Sequence, residues 1–142
     1  QNDFFGKTNI FESHFQIDQY KSLTNSVLRF SLWGAKNWID DRELSAAKKI
    51  KFGGSKLLRG YHDSQFASDW VLVQTMEWIL GSLDRTQLFL FGDIPFSPIP
   101  NIKPGYGLGI RQYNGSIAYN ISMGFPSDFS SGKIHISFMT DL

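Results

Sequence analysis

The chain has 142 residues, a near-balanced charge of 14 Lys+Arg against 13 Asp+Glu, and no cysteine. That excludes disulfides and cysteine-rich metal centres, and it leaves no basic excess of the kind a nucleic-acid partner wants. Charged residues make up only 19% and aromatic residues 15%, and no apolar run approaches the ~18–20 residues of a membrane helix. Gln1-Asn2-Asp3 opens no basic-then-apolar signal segment, so a mature or trimmed chain, or one that begins inside a longer protein, is expected. Two classes remain: a soluble β-sandwich or small β-barrel, and a membrane β-barrel with apolar residues on alternate positions.

Phe4 to Gly6 is a short aromatic patch. Ile10 to Tyr20 reads as a strand broken near Glu12, and Ser22 to Asn25 as a turn. Val27 to Trp33 alternates, with Leu28, Phe30 and Leu32 on one face and Val27, Arg29, Ser31 and Trp33 on the other. Lys36 to Lys51 is polar and reads as a solvated loop. Asp40, Asp41 and Glu43 lie in it without the glycine-bearing spacing of a calcium loop.

The stretch from Phe52 to Tyr61 follows. Gly53 and Gly54 open it, and Gly60 follows the arginine, so a compact loop is expected. Arg59 sits between Leu58 and Tyr61. Its guanidinium keeps its charge and needs carboxylates, carbonyls or an aromatic face if the loop is buried.

Beyond the loop five strands are expected. Ala67 to Leu80 places Trp70, Leu72, Gln74, Met76 and Trp78 opposite Val71, Val73, Thr75, Glu77 and Ile79. Thr86 to Pro95 sets Leu88, Leu90, Gly92 and Ile94 against Gln87, Phe89, Phe91 and Asp93. After a proline-punctuated loop, Tyr106 to Tyr113 carries Gly107, Gly109 and Arg111 on one face. Asn114-Gly115 is a hairpin signal. Ile117, Tyr119, Ile121, Met123 and Phe125 then alternate with small or polar residues, and Ile134, Ile136 and Phe138 with Lys133, His135 and Ser137. The polar face is mostly small residues with single charges, which suits a barrel lumen better than a solvated sheet.

Three motifs stand in order: Gly53-Gly54 with Leu58-Arg59-Gly60-Tyr61, then Phe91-Gly92-Asp93, then Gly105-Tyr106-Gly107-Leu108-Gly109-Ile110-Arg111. They resemble the Val-Arg-Gly-Phe/Tyr loop, the Phe-x-Asp strand and the Gly-x-Gly-x-Arg strand of the outer-membrane insertase and transporter superfamily. That group includes barrel assembly factors, the translocation and assembly module, two-partner secretion transporters and the bacterial surface antigen domain. The likeness spans Val27 to Leu142, and five strands after the loop is the family's number. Phe138-Met139-Thr140-Asp141-Leu142 stands where the family usually closes on Phe or Trp.

The resemblance implies an all-β antiparallel meander of about seven strands, residues 1–142 being a C-terminal segment of an outer-membrane barrel with the Arg-Gly loop at 52–65. It implies that Arg59 meets Asp93 inside the lumen, with Glu77 and Arg111 as further lumen residues, each expected to be solvated by channel water. The implied partners are outer-membrane lipid, a polypeptide substrate and the remaining strands of a longer chain. The implied role is assembly, insertion or translocation of polypeptides at the bacterial outer membrane. The alternative is a soluble sandwich or small barrel that binds an apolar ligand. No Gly-x-Ser-x-Gly elbow, ordered Ser/His/Asp set or phosphate loop is present, and His14, His62 and His135 lack metal-ligand spacing. Neither an enzyme nor a cofactor or metal is expected.

Overall fold

The computed structural model describes residues 10–39, 48–80 and 85–140. Nine strands run in chain order: β1 Ile10–Ser22, β2 Ser26–Ile39, β3 Ile50–Phe52, β4 Phe66–Ser68, β5 Trp70–Leu80, β6 Thr86–Phe96, β7 Gly105–Asn114, β8 Ile117–Pro126 and β9 Lys133–Thr140. Seven build one sheet in the order β1-β2-β5-β6-β7-β8-β9, and β3 and β4 form a separate short ribbon. Every pairing is antiparallel. The fold is therefore an all-β meander, with no helical element among the described residues. The five wall strands after the loop, β5 to β9, pair in sequence, every connection between them being short enough for a hairpin.

Local differences from the expectations have simple causes. β1 is unbroken at Glu12, because that residue pairs with Asn37 in the ladder. Lys36 to Ile39 continues β2 instead of opening a loop, since its backbone pairs with Ile10 to Ser13 of β1. Ala67 to Leu80 is two strands. Phe66–Ser68 pairs with Ile50–Phe52, and the chain bends at Asp69 before Trp70 enters the wall beside β2. Asp40, Asp41 and Glu43 lie outside the described residues, as does Phe4 to Gly6.

The strands are inclined. One ladder row joins Lys21, Leu28, Trp78, Leu90, Leu108, Met123 and Ile134. It crosses β1 near its last residue and β9 near its first. At ~4.8 Å between strands, a slide of that size corresponds to a tilt of roughly 40°, within the range of closed barrels. The sheet also curls. Gln16 of β1 and Ser137 of β9 line one cavity of about 370 Å³, together with Ser55 to Leu57 of the loop. Among the described residues β1 pairs with β2 alone and β9 with β8 alone, so the sheet is open.

The two faces differ in kind. Val71, Val73, Ile79, Phe89 and Phe91 are buried on the concave side with Glu77, Asp93 and Arg111. The convex side carries exposed apolar residues such as Met76, Leu90, Leu108, Ile121 and Ile136. Among the described strand residues, Lys21 and Lys36 are the only charged side chains whose ladder position places them on that convex side, and they stand near opposite ends of the wall. Exposed aromatic residues gather in two bands. Phe11, Trp38, Trp70 and Phe96 lie toward the long connections, and Phe30, Trp78, Tyr119 and Phe138 toward the short turns.

Candidate functional site: an arginine clamp on the concave face

The segment between β3 and β4 folds onto the concave wall. Its base is apolar: Phe52 and Leu58 are buried with Ala35, Ile50, Val71 and Val73, and Trp33, Tyr61 and Phe66 pack around them. Gly53 and Gly54 both have positive φ, and Gly54 and Leu58 exchange backbone hydrogen bonds. The loop thus closes on itself before it presents Arg59. The Tyr61 hydroxyl donates to the Lys103 carbonyl at 2.9 Å, which ties the outer side of the loop to the β6–β7 connection.

Gly60 lets the loop touch the wall. Its φ is +99°, and an added Cβ would meet the backbone of Phe125 at 2.7 Å. On the wall side, a Cβ at Gly124 would meet the Gly60 nitrogen, and one at Gly105 would collide with the Arg59 carbonyl oxygen. Backbone therefore packs on backbone across three glycines, an approach that side chains would block.

This docking delivers Arg59 to Asp93 and Glu77. The Arg59 backbone N–H and Nε donate to Asp93 Oδ2 at 3.0 and 2.9 Å, and Nη2 donates to Asp93 Oδ1 at 2.7 Å. Nη1 donates to Glu77 Oε1 at 2.6 Å. Thr75 donates to Asp93 Oδ1 at 2.9 Å, so both carboxylate oxygens are used. Burial opposes the charge on Arg59, but the bond to Asp93 and the two nearby carboxylates outweigh it and hold its pKa above the ordinary value. The guanidinium also lies 3.6 Å from the centre of the Phe91 ring, a cation–π contact.

Glu77 and Arg111 differ from the expectation of separate solvation by channel water. Glu77 is 1% exposed and Arg111 is 9% exposed. Glu77 Oε2 accepts from Arg29 at 3.1 Å and from Arg111 at 3.4 Å. An unpaired buried charge is costly, so the carboxylate gathers cations instead. Arg29 also holds Asp18 of β1 at 2.7 Å. The network thus runs from β1 through β2, β5 and β6 to β7, with the loop at its centre. Phe89 supports Arg111 from below, the guanidinium lying 4.9 Å from the ring centre. Gly107 and Gly109 leave space for the Phe91 and Phe89 rings, which a side chain at either position would strike.

Sequence reasoning missed Arg29, Thr75, Phe89 and His135 as parts of this site. Arg29 and Thr75 were legible as inward-facing by alternation, but nothing local says which charges converge. His135 of β9 accepts the Gly60 N–H through Nε2 at 3.4 Å, a contact made by the last strand. Among the described residues no cluster of His, Cys, Asp or Glu could hold a metal ion.

No protein-family model matches the chain, and no curated protein is detectably similar to it.

Proposed function

We propose that this chain is a segment of an outer-membrane β-barrel of the insertase and transporter kind, acting in assembly, insertion or translocation of polypeptides at the bacterial outer membrane. The observation that carries the reading is the loop folded into the concave side with Arg59 clamped by Asp93 and Glu77. The convex face supports the membrane setting. It is apolar, carries no carboxylate among the described strand residues, and has aromatic bands toward both ends, the pattern of a lipid-facing barrel wall. Short turns on one side and long connections on the other match periplasmic and extracellular ends respectively. An open sheet is not viable in lipid, so earlier strands of the same polypeptide complete the barrel.

The clamp's role on this reading is positional. It ties a lumenal loop to β5 and β6 in one register, so the loop and the closing strands move together. The soluble alternative wants apolar side chains on an enclosed face; here the concave side carries Arg29, Arg59, Glu77, Asp93 and Arg111. The test is Arg59→Ala in the intact protein. We expect assembly or export of client polypeptides, normalised to the amount of folded variant in the membrane fraction, to fall by about tenfold or more, on the scale of a lost positioning contact. Activity equal to wild type would overturn the role of the loop. Partitioning of the protein into buffer rather than detergent would overturn the membrane reading itself.

A further inference from the structure

The convex face carries one feature that the clamp does not explain. A groove of about 440 Å³ runs between β1, β2 and β5, walled by Phe15, Gly34, Trp38, Trp70 and Leu72 with Lys36 at its side. Its volume lies within the ~300–1,000 Å³ of ordinary ligand sites. Gly34 has no side chain, and Phe15 and Leu72 lean over its backbone; a Cβ there would meet the Phe15 ring at 2.5 Å and Leu72 at 3.1 Å. The walls are apolar apart from Ser13 and Lys36.

Lys36 is the charged group of this groove. Its ammonium lies 4.9 Å from the centre of the Trp38 ring. The described strand residues put no carboxylate on the convex face. Asp69, which precedes Trp70, pairs with Lys49 at 3.7 Å. A lysine at the level of an aromatic band, beside an apolar groove, faces the headgroup region of a bilayer.

We propose that this groove binds a phosphate-bearing lipid, one acyl chain lying between Phe15, Trp70 and Leu72 and the phosphate paired with Lys36. The proposal rests on the membrane reading above. Charge complementarity selects the occupant: among the described residues the groove offers one cation and no anion, so a lipid that brings its own anion completes it.

The experiment uses the intact protein purified from detergent and examined by native mass spectrometry after incubation with phosphatidylglycerol or with a phosphate-free galactosyl diacylglycerol. Phosphatidylglycerol should be retained in preference. Lys36→Gln should weaken its retention about fivefold, the scale of one near-surface lysine acting on an anionic lipid. Leu72→Trp, which fills the groove and leaves Lys36 in place, should also release the lipid. Lys21→Gln, at the opposite end of the wall, should change nothing. Equal retention of the two lipids, or equal effects of Lys36→Gln and Lys21→Gln, would overturn the site while leaving the barrel reading intact. A protein that takes up no lipid and stays in buffer would overturn both.

Discussion

All three side-chain nitrogens of Arg59 donate to carboxylates, and its backbone N–H donates as well. A lysine has one nitrogen and no planar fork, so it cannot reproduce the two-point contact with Asp93 while reaching Glu77. Arg59→Lys should therefore behave nearly as badly as Arg59→Ala in an assembly or export assay. Asp93 is fully buried, and its loss strands a buried cation. Asp93→Ala should lower stability by about 3 kcal/mol or more, read from denaturant unfolding of the protein in detergent. Replacing Arg59 and Asp93 together with leucine should cost much less than the sum of the two single changes, because no charge is left unpaired. Additive losses would mean that each residue acts through contacts other than the pair.

The loop is held at the element scale by glycines as much as by charge. Gly60, Gly105 and Gly124 bring two backbones into contact. Gly115 makes a useful comparison, for it also has positive φ (+62°) but an added Cβ there meets nothing within 4 Å. Gly115→Ala should cost only the ~1–2 kcal/mol of a left-handed non-glycine residue. Gly60→Ala adds a collision with the β8 backbone and should undock the loop. Limited proteolysis is the measurement: cleavage between Ser55 and Gln65 should rise sharply in Gly60→Ala and stay at the wild-type level in Gly115→Ala. Similar cleavage in both would show that the glycines serve the turn alone.

For the whole molecule, the decisive property is which face meets which medium. The concave side holds the ionic network under the loop, and the convex side is apolar across seven inclined strands. Ile94 and Met123 lie between the two aromatic bands of that convex face, each 41% exposed. An arginine at either position should destabilise the protein folded in a bilayer by about 2–4 kcal/mol, the cost at a barrel midplane. In water the same changes are nearly neutral. Reversible folding into lipid vesicles, with the charge moved along β8 from Met123 to Ile117, should show the cost shrinking toward the end of the strand. A flat profile would place that face in water.

Much of this was readable in the chain itself. Alternation of Ile117, Tyr119, Ile121 and Met123 with small residues assigned the faces of β8, and the short connections required sequential antiparallel neighbours, since a period of two leaves a strand few choices. Arg59 announced a need for partners because a guanidinium cannot shed its charge. The resemblance supplied the meeting of Arg59 with Asp93; what the residue pattern could not supply was the convergence of the remaining charges. Arg29, Glu77, Asp93 and Arg111 all read as inward-facing residues with isolated charges. Strand register sets Arg29 directly opposite Glu77, Arg111 reaches Glu77 from β7 across β6, and the docked loop's Arg59 joins Glu77 to Asp93. Long-range electrostatic partners depend on strand register and on where the loop docks, and the pattern along any single strand carries no record of either.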